Sequence, residues 1–346
     1  MSFSYYSFIL KNNGTLWGCG DNSYGELGLG DTTDRKTFVH ITTNADNIKS
    51  VYCGYQHTLI LKNDGTLWGC GYNGYGQLGL GDVDKKIVFT QIVTNADNIK
   101  SIYCGDKHTI ILKNDGTLWG CGENDYGQLG LGDTNNRDTF TQITTNTDNI
   151  KSVYCGLRQT LILKNDGTLW VCGQNNSGQL GLGDTDDRNT FTRITTNANN
   201  IKSVCCSGFS MIVLKNDGTL WGCGRNDCSQ LGLGDTNSRT TLTIMGINTN
   251  DIELINCGYD YTLILKNDGT LWGCGANGSG QLGLGDTDDR NIFTQITTNT
   301  NDIKSIYCGH NHTLILKNDG TLWGSGWNGY GQLGLGGISN RTTFTQ

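Results

Sequence analysis

The sequence predicts an all-β chain folded as a seven-bladed β-propeller of four-stranded blades, with one blade incomplete. Three observations carry this expectation: a strict repeat, a hairpin signal in every unit, and no amphipathic helical period. Trp17, Trp68, Trp119, Trp170, Trp221, Trp272 and Trp323 stand 51 residues apart without a slip in register. A unit of this length cannot bury its own apolar face, so neighbouring units must stack. One propeller domain spanning residues 1–346 is therefore expected, with no linker and no second domain.

Each strand can be justified in turn from the second repeat. Leu59-Ile60-Leu61 and Thr66-Leu67-Trp68 flank Asn63-Asp64-Gly65. Asp-Gly between two such runs is a strong hairpin signal, because glycine supplies the positive φ of a primed turn. The run Leu59-Ile60-Leu61 is continuously apolar, which suits a strand covered on both faces. Phe89 to Ile92 and Ile99 to Tyr103 supply two more strands, giving four per repeat. An open β-solenoid is the competing repeat architecture, but it uses parallel strands, and hairpins require antiparallel ones. Each recurrent Trp is expected between adjacent blades. Full burial of ~200 Å² of ring would stabilise by at most about 5 kcal/mol.

Composition excludes several classes of function. A net charge of -7 argues against nucleic-acid binding through a basic footprint. No apolar run reaches the length of a membrane-spanning helix, and Met1 to Tyr5 does not read as a secretory leader. A cytoplasmic location is expected, with the nucleus, or the host cytoplasm for a viral protein, as alternatives.

The residues that invite chemistry have structural readings. Of the 14 cysteines, six follow the Trp strand and six precede a Gly turn, on strands separated by another strand. That spacing, about 9.5 Å, is too long for a disulfide. Small buried thiols in a reducing compartment are expected, and Cys205 and Cys228, which fall outside both series, are the better candidates for reactivity. Cys53/His57, Cys104/His108 and Cys308/His312 share a zinc-like spacing. The matching positions elsewhere are Gln159, Ser210 and Tyr261, so histidines hydrogen-bonded within their own blade are expected instead. Asp184 to Asp187 and Asp286 to Asp289 lack the ordered alternation of a calcium loop and read as solvated turns. The Gly-Gln-Leu-Gly-Leu-Gly segments precede no helix, so they are not phosphate cradles. Their glycines supply positive φ and close approach between blades. No enzyme, metal or cofactor is expected.

The motif Asp-Gly-x-x-Trp-Gly-x-Gly-x-Asn-x-x-Gly-Gln-Leu-Gly-x-Gly, followed by Cys-Gly-x-x-His-Thr, resembles the regulator of chromosome condensation repeat over essentially the whole chain. The resemblance implies a seven-bladed propeller whose members act variously in guanine nucleotide exchange, ultraviolet sensing, ubiquitin ligation and β-lactamase inhibition. It therefore leaves function open. A protein-interaction scaffold is the leading expectation; a small GTPase or chromatin is the less favoured partner. Exchange factors of the family carry an inserted β-wedge, and here the repeat register admits none. Chromatin binding in the family uses a basic N-terminal tail, whereas the first basic residue here is Lys11.

Two further expectations concern places where the repeats differ. Seven units of 51 would need 357 residues, and the 346 present fall short by 11. Aligning Gln346 with Gln295 and Met1 with Tyr307 assigns the gap to Ile296 to Ile306. The blade around Phe8 to Gly20 should then lack its full innermost strand or borrow a substitute. The second place is the pair of residues inside each Cys-Gly-x-x turn: Tyr55-Gln56, Asp106-Lys107, Leu157-Arg158, Tyr259-Asp260 and His310-Asn311. The fifth repeat offers Phe209 there and the first Ser4-Tyr5. Equivalent turns form a ring on one face, and Tyr, Arg, His and Phe are interface residue types, so these are the candidate partner-binding residues. Tyr72, Glu123, Arg225 and Trp327 form a second variable series. Trp327 is expected to be an exposed aromatic with a binding role.

Overall fold

The computed structural model describes residues 4–247 and 251–346. Twenty-seven strands, and no helix among the described residues, form seven antiparallel sheets. No helix is long and apolar enough to cross a membrane. The first sheet holds β1 (Tyr6–Leu10), β2 (Leu16–Gly20) and β3 (Arg35–Ile41); the second holds β4 (Ile48–Cys53), β5 (His57–Lys62), β6 (Leu67–Gly71) and β7 (Lys86–Ile92). The remaining strands, from Ile99–Cys104 to Arg341–Thr345, repeat the order of the second sheet five times. First strands of successive four-stranded blades lie beside one another around the axis, and β1 lies beside β4. Six blades thus have four strands, and among the described residues the first has three.

Local sequence explains each strand. β5 and its counterparts in the next three blades are buried at every position, because each lies between two blades as well as within its own sheet. Apolar clusters fill the interfaces from the first and second blades through to the sixth and seventh. Between the third and fourth, Ile110, Leu112 and Leu118 meet Val153, Ile162 and Phe191. Glycine allows the blades to close up. At Gly79, with φ 71°, an added Cβ would lie 2.8 Å from the Phe140 ring of the next blade.

Six of the seven recurrent tryptophans pack against the apolar clusters between blades, and all seven are half-buried. A lysine ammonium covers each ring, as Lys62 does at 4.4 Å from the Trp68 centroid, and the indole N–H donates to a nearby threonine (2.9 Å from Trp68 to Thr66). Their apolar contribution is therefore smaller than full burial would give.

The histidines correct an expectation, since they bond between blades. His57 Nε2 lies 3.1 Å from Thr109 Oγ1, His108 Nε2 3.0 Å from Thr160 Oγ1, and His312 Nε2 3.2 Å from Ser7 Oγ. The Thr109 and Thr160 hydroxyls donate to the Gln77 and Gln128 carbonyls of the preceding blade, and Ser7 donates to Gln332 O. Having donated its one proton, each hydroxyl must accept from the imidazole, which fixes the tautomer with hydrogen on Nε2. The reason for the correction is position: the ring stands at the start of a strand that faces the next blade.

Burial lowers the histidine pKa values, to about 4 for His57 and about 3 for His108 and His312. A base depressed in the folded state contributes stability above its ordinary value of 6.5 and loses it as pH falls toward 4. Replacing all three by Gln, the residue at the matching position 159, is expected to flatten the fall in unfolding free energy between pH 6.5 and 4, measured by urea titration. Glu26 titrates in the opposite sense. It occupies the column held elsewhere by Gln77 and Gln128, and burial, aided by the Asp21 charge, raises its carboxyl pKa to about 7. The folded state then holds a proton that the unfolded chain releases, so stability is lost as pH rises from about 4.5 to 7. Glu26→Gln is expected to raise the unfolding free energy at pH 8 by roughly 1–3 kcal/mol and to change it little at pH 4.

Candidate functional site

In each complete blade the turn between the first and second strands reaches the axis on one face. Backbone hydrogen bonds join successive turns. Tyr55 N–H donates to Asp106 O (3.4 Å), Asp106 to Leu157 (3.0 Å), Gly208 to Tyr259 (2.9 Å), Tyr259 to His310 (3.3 Å) and His310 to Ser4 (3.2 Å). Main-chain groups hold this arc together, which leaves the side chains free to differ.

The second variable series shares the face and is tied to the first. Tyr72 N–H donates to Gln56 O (2.7 Å), Glu123 to Lys107 (2.8 Å), Arg225 to Phe209 (2.9 Å) and Trp327 to Asn311 (2.8 Å). The antiparallel register explains this: the second strand begins where the third ends, as in the pair His57 and Gly71.

One part of the face is aromatic. Tyr259 stacks on His310 with centroids 4.0 Å apart, and His310 stacks on Tyr5 at 4.6 Å. Tyr5 meets Tyr55 edge-on at 5.6 Å and Trp327 at 4.8 Å, and Trp327 meets Tyr330 at 5.0 Å. Phe209 joins through Tyr259 at 6.0 Å. Seven rings from five repeats thus form one contiguous, half-buried group. Trp327 is half-buried within it, because Tyr5 and Tyr330 cover its ring, so the expectation of an exposed aromatic does not hold.

The rest of the face is charged. Arg158 lies over the Tyr126 ring and 3.7 Å from the buried Glu123 carboxylate, and Lys107 lies over Tyr75. Arg225 Nε is 2.7 Å from Asp227, and Arg225 Nη1 is 3.6 Å from Asp260, whose carboxyl also accepts from Gln230 (3.1 Å). Burial raises the Asp260 pKa to about 6 against the pull of Arg225. Gln56 and Asn311 are half-buried, whereas Asp106 and Leu157 are buried and shape the turn from beneath.

Sequence reasoning passed over Tyr24, Tyr75, Tyr126 and Tyr330. They fill one repeat column with Ser177, Cys228 and Ser279, so alignment at 51 residues could have found them. The surroundings of Cys205 and Cys228 disfavour a reactive thiolate. Cys205 is fully buried, and burial raises its thiol pKa well above the ordinary value. At Cys228, burial and then the Asp260 and Asp227 charges raise it to about 11. Among the described residues no group of three His, Cys, Asp or Glu is placed to hold a metal ion.

Comparison with known proteins agrees with this architecture. The RCC1-like domain model matches residues 85–301, and regulator of chromosome condensation (RCC1) repeat models match residues 13–61, 48–77 and 303–332. The chain is similar to the ultraviolet-B receptor UVR8 of Arabidopsis thaliana, 33% identical over 336 residues, covering 92% of this chain and 74% of the receptor. It is 32% identical to the probable E3 ubiquitin-protein ligase HERC4 of Rattus norvegicus, covering 93% of this chain and 31% of the ligase. It is 34% identical to the X-linked retinitis pigmentosa GTPase regulator of Mus musculus, covering 82% of this chain and 29% of the regulator. The chain thus spans under a third of those last two proteins. Among solved structures, human WBSCR16 superposes with a TM-score of 0.82 at 22% identity, covering 96% of this chain and 92% of that one. Yeast RCC1 (Prp20) superposes at 0.85 with 19% identity, covering 99% and 85%; at such identities the likeness shows the fold alone. The domain match over more than half of the chain, and the UVR8 identity across most of both proteins, carry the assignment: the chain belongs to the RCC1-like family of β-propellers.

Proposed function

We propose that this propeller is a non-enzymatic interaction module that holds a protein partner on its Cys-Gly-x-x face. The observation that carries this reading is the contiguous ring group running from Phe209 through Tyr259, His310 and Tyr5 to Tyr55 and Trp327. Its framework is nearly identical from repeat to repeat, while its side chains differ. Half-buried aromatics beside fixed arginines are the residue types that anchor interfaces. Tyr55, Gln56, Lys107, Arg158, Phe209, Tyr259, Asp260, His310, Asn311 and Trp327 would form the contact surface, with Asp106 and Leu157 setting its shape. Arg158 is held over Tyr126 and beside Glu123, so it would meet a partner with little loss of side-chain freedom.

The GTPase regulator among the relatives motivates a second reading, in which the partner is a small GTPase. A nucleotide-release assay against a panel of small GTPases separates catalysed exchange from simple binding. For the binding reading, the partner is captured from the native source and its affinity measured against wild type. The combined change of Tyr55, Arg158, Phe209, Tyr259 and His310 to Ala is expected to weaken binding by more than ~2 kcal/mol, about thirtyfold. Asn114→Ser, on the opposite face, is expected to bind as wild type does. Unchanged affinity in a folded five-fold variant would eliminate this face.

A further inference from the structure

Charge divides unevenly between the two faces of this molecule. In each blade the long loop into the outermost strand opens on the same face as the Cys-Gly-x-x turns, and the hairpin before the Trp strand opens on the other. The described residues include every charged side chain of the chain. Its 32 carboxylates divide 20 to the Cys-Gly-x-x face and 12 to the opposite one, and its 25 cations divide 12 and 13. The first face therefore stands at -8 and the second at +1, so one face carries the whole net charge of -7. Pairing sharpens the difference. On the Cys-Gly-x-x face eight of the 12 cations already hold a carboxylate, whereas 11 of the 20 carboxylates form no ion pair.

Carboxylates surround the aromatic group. Asp21 N–H donates to Tyr5 O at 3.0 Å, Asp106 O accepts from Tyr55 N–H, and Asp260 follows Tyr259 in the chain. Burial raises the phenol pKa of Tyr55, Tyr259 and Tyr330, and carboxylate charges add to it: Asp106 at Tyr55, Asp260 at Tyr259, and Asp21, Asp34 and Glu26 at Tyr330. Asp106 is 9% exposed, and its Oδ1 accepts no hydrogen bond from a described residue. A carboxylate oxygen in that state is best matched by a positively charged donor. The rings suit the same charge, since the face of a Tyr or Trp ring attracts a lysine ammonium or an arginine guanidinium. His310 adds no opposing charge at neutral pH, because burial lowers its pKa to about 4.

We propose that the partner held on this face presents a basic segment, whose lysine or arginine side chains lie over the aromatic group and pair with the carboxylates around it. This rests on the reading that the Cys-Gly-x-x face is the binding surface, and it names the chemistry of what is bound. An acidic segment fits less well, because Arg158 and Arg225 are already engaged by Glu123, Asp227 and Asp260.

The repeats supply neutral replacements for the test. Asn136 and Asn340 hold the column of Asp34 and Asp289, and each of the four accepts the same backbone N–H through Oδ1. Asn176 holds the column of Asp227, and Asn311 that of Asp260. A variant combining Asp34→Asn, Asp227→Asn, Asp260→Asn and Asp289→Asn thus removes charge from this face alone. Its control combines Asp115→Asn, Asp166→Asn, Asp217→Asn and Asp268→Asn on the opposite face, where Asn13 already makes the equivalent bonds to Thr15. The probe is a dye-labelled peptide of about six Lys-Ser units, read by fluorescence anisotropy at low salt, with both variants shown to be folded by circular dichroism. The full chain is expected to bind it saturably, and to bind the Glu-Ser counterpart at least about tenfold more weakly. The first variant is expected to lose about tenfold in affinity and the control less than about twofold. Equal losses in the two variants, tighter binding of the Glu-Ser peptide, or no saturable binding of the Lys-Ser peptide overturns the proposal. Affinity of the native partner for the five-fold alanine variant is measured separately. A loss there beside any of those outcomes leaves the binding face in place and removes only its basic ligand.

Discussion

A hydroxyl on the inner flank of six of the seven blades, with Met211 in its place in the fifth, governs how neighbouring blades meet. Thr109 stands on the second strand of its blade, takes a hydrogen bond from His57 of the preceding blade and gives its own proton to Gln77 O in that blade's loop. A buried polar group left unmatched would cost about 1–3 kcal/mol, so this hydroxyl must find both partners at once. Only one angle between neighbouring blades provides them. Repeated around the axis, that angular constraint sets the curvature, and the apolar clusters fill the space it defines.

Two repeats with tyrosine in place of the histidine keep the link by other means. Tyr261 reaches past the turn so that its hydroxyl donates to His312 O at 2.5 Å, and Tyr6 donates to His57 O at 2.7 Å. Both oxygens belong to the blade that follows, so a phenol replaces the imidazole without changing which blade is held. In the fifth blade Ser210 turns to Ser207 instead. Thr262 of the next blade still donates to Gln230 O at 2.8 Å, and that bond keeps the join. Between the fourth and fifth blades Gln159 and Met211 replace the pair, and the apolar cluster around Met211 fills the join. At the other joins the link tolerates variation at the ring or phenol and keeps the hydroxyl-to-carbonyl bond.

Much of the fold was legible because period, hairpin signal and residue count are properties of the chain alone. The three strands described for the first blade agree with the repeat count, and the blade-to-blade position of Trp68 follows from its place in the hairpin. Direction was harder to read. Whether His57 bonds within its blade or to the next depends on a side-chain vector that spacing does not encode. The variable turn residues were identifiable as a set, but their division into a ring group and a charged group was not. Tyr5, Tyr55, Tyr259 and His310 lie as much as 305 residues apart in sequence, and only closure of the circle brings them together. Cys228 looked exceptional by sequence, yet burial, and then the Asp260 and Asp227 charges, keep its thiol protonated.

The regular cysteines have a consequence for how the circle comes apart. Cys104 and Cys121 belong to the cluster between the second and third blades, Cys155 and Cys172 to the next, and Cys206 and Cys223 to the one after. All six are at most 8% exposed, and burial holds each thiol well above its ordinary pKa. A thiol in that condition meets an alkylating reagent only while its own cluster is open. Each joint between blades therefore carries its own chemical timer, and the order in which the sulfurs are trapped records the order in which the joints part.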